Sequence, residues 1–115
     1  MTTEQRPRHP RYAIRLSAEL RVGNQLLTGV TRNLSAGGVC VEIDRPLEEG
    51  SKLRLTLFVV EDDVEAEGAH GLGLAATVQW AAEADRGWAL GLKFDPLTPQ
   101  QATALATALR AVGAS

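Results

Sequence analysis

One cysteine, two histidines and five aromatic side chains are all that the 115 positions offer for thiolate or imidazole metal ligation, disulfides and aromatic stacking. Cys40 has no second thiol, which excludes an intrachain disulfide framework, and His9 and His70 lie far apart in loop-like contexts, so no clustered metal site is expected. Cys40 reads as a buried structural thiol. No apolar run approaches the ~18 residues needed to span a bilayer, and Met1 to Pro10 lacks the apolar centre of a signal peptide. The expectation is a cytoplasmic chain without membrane insertion. A formal charge of -2 and a pI near 5.6 argue against a general nucleic-acid binder, which is normally basic overall. Aromatics at 4% leave few platforms for stacking single-stranded bases. The sequence also shows no nucleophile with an evident base, no zinc spacing and no paired carboxylates in a plausible pocket loop, so no enzyme is expected.

The length and the 44% apolar content fit one domain. Ten of the twelve cations are arginine, and six of them (Arg6, Arg8, Arg11, Arg15, Arg21, Arg32) fall in the first 32 positions, beside only Glu4 and Glu19. Arginine grips phosphate in a planar fork and stacks on flat rings, so this bias fits a small anionic, ring-bearing ligand. A solvated basic tail is the alternative.

From Arg11 onward, period-two alternation predicts six strands. Leu16, Ala18, Leu20 and Val22 form one face of the first. Gly23-Asn24 turns it into a second strand over 25–32. Further sets are Val39, Val41, Ile43; Leu53, Leu55, Leu57, Val59; Leu72, Leu74, Ala76, Val78, Trp80; and Trp88, Leu90, Leu92, Phe94. Turn chemistry separates them at Arg45-Pro46 with Glu49-Gly50 and at Asp85-Arg86-Gly87, and the acidic stretch from Glu61 reads as a solvated loop. Six one-faced antiparallel strands avoid open edges by closing into a small barrel of about 15–95. Thr98-Pro99-Gln100-Gln101 then supplies a capping threonine, a proline at the first helical position and a capping-box glutamine. The helix of about 99–112 carries an apolar stripe of Ala102, Leu105, Ala106, Leu109 and Val112, expected to pack on the barrel. Residues 1–10 read as a flexible N-terminal arm and 11–113 as the folded domain.

Two clusters carry chemistry. Arg11 and Arg15 stand four apart where the arm becomes the first strand, with Arg15 inside the strand. Asn33-Leu34-Ser35-Ala36-Gly37-Gly38 combines short polar side chains with glycines that let backbone turn tightly beside a flat ligand. An ordinary hairpin loop held by side-chain to backbone bonds is its plain alternative. The loop lacks the lysine and following helix of a phosphate-binding P-loop, and the Asn33-Leu34-Ser35 glycosylation pattern is idle without a secretory signal. Trp80 sits in the apolar register, which assigns it to the core; walling a ligand site is its alternative use.

Together the clusters resemble the PilZ domain family: RxxxR at Arg11 and Arg15, then an (Asp/Asn)-x-Ser-x-x-Gly motif at Asn33, Ser35 and Gly38. Order, intervening hairpin, following strands and C-terminal helix agree, and Gly91-Leu92-Lys93-Phe94 looks like the family's last barrel strand. The resemblance implies an all-β, six-stranded antiparallel PilZ-type barrel with a C-terminal α-helix and a flexible N-terminal arm. It further implies a cyclic di-GMP receptor acting on an effector protein, in motility or biofilm regulation, with the nucleotide as ligand and no cofactor. The residues carried over are Arg11 and Arg15 on phosphate and guanine, Asn33 and Ser35 on a guanine edge or phosphate, and Gly37 and Gly38 in the loop. Arg8, three positions before Arg11, is within reach of the phosphates, while Pro10 departs from the family's pattern of an arginine beside the motif and leaves one or two ligand molecules open. A protein-interaction adaptor with little nucleotide binding and a single-stranded nucleic-acid-binding barrel are the competing functions.

Overall fold

The structure is a computed structural model that describes residues 12–60 and 69–113. Seven strands and one helix follow in order: β1 (Tyr12–Ala13), β2 (Ser17–Val22), β3 (Gln25–Leu34), β4 (Gly38–Ile43), β5 (Lys52–Val60), β6 (Ala69–Ala84), β7 (Gly87–Phe94) and α1 (Pro99–Gly113). The order across the sheet is β1-β3-β2-β5-β6-β7-β4, and β3 also pairs with β4. That last pairing closes β2 to β7 into a six-stranded antiparallel barrel in which every strand has two neighbours. The short β1 is the seventh strand, laid on β3 beyond the point where β2 begins.

The local reasons are those of alternation and turn chemistry. Gly23 adopts φ 61, a left-handed value that glycine takes at no steric cost, and sets the β2–β3 hairpin in register from Val22 opposite Gln25. Inward residues of all six barrel strands, including Leu20, Leu34, Val41, Leu55, Leu74 and Leu90, are fully buried and form one continuous core. Each such aliphatic side chain contributes ~1.5–3 kcal/mol by leaving water. The capping box forms as expected: Gln101 N–H donates to Thr98 Oγ1 at 3.1 Å and Thr98 N–H donates to Gln101 Oε1 at 3.0 Å. The same glutamine donates from Nε2 to the Gly73 carbonyl at 3.1 Å, which fixes the start of α1 against β6. The helix packs on β6 and β1, with Leu105 buried in the barrel core.

Several expectations change in detail. The second predicted strand runs on to Leu34, so Asn33 belongs to β3 and not to a loop. Arg15 lies in a break between β1 and β2 instead of within a strand. His70 falls in β6, not in a loop. The buried face of α1 is Leu105 and Ala108 with Leu109 half-buried, while Ala102 and Ala106 are exposed. The carboxylates of Glu61 to Glu67, the arm of residues 1–10, and Arg8 and Arg11 lie outside the described residues. Among the described residues no helix is long and apolar enough to cross a membrane, and no cluster of metal-ligating side chains occurs.

Candidate ligand site at the barrel rim

The break that holds Arg15 is stitched by a residue of the neighbouring strand. Tyr12 pairs with Leu34 and Ala13 with Asn33, after which the ladder stops until Ser17 pairs with Val30. In the gap, Ile14 N–H donates to the Arg32 carbonyl at 3.3 Å and Thr31 N–H donates to the Leu16 carbonyl at 2.9 Å. The Thr31 hydroxyl completes it, accepting from Leu16 N–H at 2.8 Å and donating to the Ile14 carbonyl. Thr31 is 0% exposed and its partners Ile14 and Leu16 are half-buried, so leaving these groups unmet is costly. Ile14 and Leu16 pack against the core on either side, and Arg15 between them is exposed.

The loop after β3 is held just as locally. Ser35 is 3% exposed; its Oγ accepts from Gly37 N–H and Gly38 N–H, both at 3.2 Å, and donates to the Gly38 carbonyl at 3.3 Å. The same carbonyl accepts Ser35 N–H at 2.9 Å, and the Gly37 carbonyl accepts Phe94 N–H at 3.0 Å, which ties the loop to the end of β7. In this structure the Ser35 hydroxyl therefore acts on its own loop. Gly38 is required by close approach, because a Cβ there would stand 2.3 Å from the Leu92 carbonyl oxygen.

Two bulges shape the adjacent outer surface. On β3 the pairing with β4 steps from Thr31–Val41 to Asn33–Cys40, so Arg32 is the extra residue and both Arg32 and Asn33 turn away from the core. On β6 the pairing with β7 steps from Val78–Leu92 to Trp80–Gly91, so Gln79 is extra and Trp80 leaves the apolar register. Trp80 is 43% exposed, against the core position its alternation predicts. Its indole lies across Gly91, where a Cβ would meet the indole nitrogen at 2.1 Å. Asn33, Val39, Cys40, Gln79, Trp80, Gly91 and Leu92 line the resulting groove of about 320 Å³. Cys40 is buried, as expected.

The groove offers an aromatic ring, two carboxamides and apolar flanks, with the exposed Arg15 cation on the joint beside the Ala13–Asn33 pair. That set suits a flat heterocycle attached to an anion. Its volume is near the lower end of the range of about 300–1,000 Å³ for small-molecule pockets, enough for part of a dinucleotide, with the remainder reaching over the rim. A larger cavity of about 480 Å³ is lined by Arg32, Glu42, Glu83, Asp85, Arg86 and Trp88. Three carboxylates against two arginines, one of them already paired with Glu42 at 3.2 Å, make it a poorer place for an anion.

Of the residues singled out from sequence, the structure brings Arg15, Asn33, Ser35, Gly37 and Gly38 to one rim of the barrel. Thr31 and Gln79 carry no motif signal, and Gly91 figures in the sequence only as part of the closing strand. A glycine inside an apolar strand pattern, as at Gly91, is the one available signal, since it marks a bulge or a close approach.

The architecture is a small closed antiparallel barrel with a helix packed on it and a glycine-serine loop beside an arginine-bearing joint. The PilZ domain signature matches residues 5–111, and the chain belongs to that family. No curated protein matches it in sequence. In fold it is similar to the Bacillus subtilis inhibitor of motility MotI/DgrA (TM-score 0.75, 19% identity, 92% of this chain and 51% of that one). It is also similar to the PilZ domain, with c-di-GMP, of YcgR from Escherichia coli (TM-score 0.72, 16% identity, 96% of this chain and 93% of that one). A third neighbour is the K. pneumonia MrkH complex with c-di-GMP (TM-score 0.66, 16% identity, 91% of this chain and 51% of that one). The chain thus spans about half the length of MotI and MrkH and nearly all of the YcgR domain.

Proposed function

We infer that the chain is a non-catalytic cytoplasmic receptor for cyclic di-GMP that regulates a separate effector protein. The observation that supports this most is the convergence of the Arg15 joint, Asn33 and the Ser35–Gly38 loop beside an indole-walled groove. In this reading Arg8, Arg11 and Arg15 donate charge-assisted hydrogen bonds to the phosphates, and Asn33 reads a guanine edge. Trp80 stacks on a base, while Ser35, Gly37 and Gly38 hold the backbone beside the ligand. Ser35 itself bonds the nucleotide only by exchanging one of its loop bonds. Neighbours of the same fold described with c-di-GMP support the choice of nucleotide. The output is a changed surface: the arm before Tyr12 closes over the ligand, at ~1–2 kcal/mol for each backbone residue fixed, offset by the new contacts, whereas Tyr12 to Leu16 are already held on β3 without ligand.

Isothermal titration with cyclic di-GMP, GMP and cyclic di-AMP tests the reading. Saturable heat for cyclic di-GMP alone is the expected result, and its stoichiometry decides between one and two ligand molecules. No heat and no thermal stabilisation would transfer the function to ligand-independent adaptor binding.

A further inference from the structure

The outer face of β2 and β5 breaks a rule that the rest of the barrel keeps. Arg21 on β2 stands directly opposite Arg54 on β5. Like charges in directly opposed positions of an antiparallel pair repel, and both of these side chains are exposed. Lys52 lies two residues from Arg54 on the same side of β5, so three cations share one patch. Among the described residues only Lys52 of the three has an ion pair, with Asp95 at 3.6 Å, and that carboxylate also accepts from the Thr77 hydroxyl. Glu19, two positions before Arg21, makes no described ion pair with either arginine. At the other side of Arg21, its β3 partner Leu26 is 48% exposed, one of two large apolar side chains so exposed among the described residues.

A repulsive pair flanked by an exposed leucine does nothing for folding, and such local conflicts are expected where a surface serves a function. The geometry points to this face as a docking site for an acidic segment of a partner protein that also carries an apolar side chain. Carboxylates of the segment settle between Arg21, Arg54 and Lys52, and its apolar residue covers Leu26. A long polyanion fits less well, because the three-cation patch is short and ends in the apolar surface of Leu26. The inference does not depend on the nucleotide reading, since Arg21 and Arg54 take no part in the rim site.

The test uses the full chain, a fluorescein-labelled peptide of glutamates with a central leucine, and its lysine counterpart. Fluorescence polarisation is expected to saturate with the acidic peptide only, and Arg21→Glu, Arg54→Glu and the double reversal each weaken it at least about tenfold, the effect of losing roughly one charge-assisted contact. Cyclic di-GMP affinity is measured on the same variants and is expected to stay unchanged. Melting temperatures supply a second readout. Either single reversal replaces repulsion by attraction and raises the Tm by roughly 2–4 °C, and the double reversal, like-charged again, returns it to the starting value. Peptide binding that is absent, or insensitive to the reversals, overturns the proposal. Arginine-dependent binding of duplex DNA or phosphatidylglycerol vesicles at equal or higher affinity also overturns it, by making the face a general polyanion surface.

Discussion

Arg15→Ala is expected to weaken cyclic di-GMP binding at least tenfold and to leave the melting temperature unchanged. Arg15 is exposed and makes no described hydrogen bond or ion pair, so truncating it removes nothing the fold uses. Surface changes of this kind normally fall within about 0.5 kcal/mol. A charge-assisted hydrogen bond to a phosphate contributes ~1.5–3 kcal/mol, and a factor of ten in affinity is about 1.4 kcal/mol, so one lost contact is sufficient. Titration calorimetry and thermal melts on the same preparation separate the two quantities. Unchanged affinity in a folded variant removes Arg15 from the site.

Thr31→Val has the larger expected effect on stability, a loss of about 2–4 kcal/mol. Valine keeps the shape of threonine, so no cavity opens, but Leu16 N–H loses its acceptor and the Ile14 carbonyl loses its donor in a part-buried place. Each unmet group costs about 1–3 kcal/mol. Because these two bonds hold the backbone on either side of Arg15, ligand affinity falls too, and less than additively when Thr31→Val is combined with Arg15→Ala. Thr31→Ser restores the hydroxyl and is expected to recover most of the affinity. Denaturant melts and ligand titrations of the two variants check both statements; a valine variant that keeps full affinity for the nucleotide denies Thr31 its positioning role.

Thr31 also shows where sequence reading stops. The barrel was legible because Leu20, Leu55, Leu74 and Leu90 each sit in strict alternation, and the hairpin at Gly23-Asn24 and the cap at Thr98 and Gln101 are short-range signals that geometry obeys directly. A bulge leaves no such mark. Val78, Gln79 and Trp80 alternate as a regular strand would, so the extra residue that turns the indole outward shows only in the pairing with Leu92 and Gly91. Thr31 carries no motif signal, yet it is buried and its hydroxyl bridges the two sides of the β1–β2 break. In α1 the face was misplaced because alanine carries little burial preference: Ala108 meets the barrel where Ala102 and Ala106 were expected to. The motif residues were legible as a set, but the work Ser35 does inside its own loop appears only once its burial is known.

The most direct test of the rim site is a nitrogen–proton NMR titration with cyclic di-GMP. The two tryptophans give an internal comparison, since Trp80 walls the groove and Trp88 lines the other cavity. Large shifts are expected for the Trp80 indole N–H and for the backbone amides of Arg15, Asn33, Gly37 and Gly38, with the Trp88 indole N–H little changed. Shifts centred on Trp88 and Arg86, with the Trp80 indole and the Ser35–Gly38 loop unmoved, would contradict it.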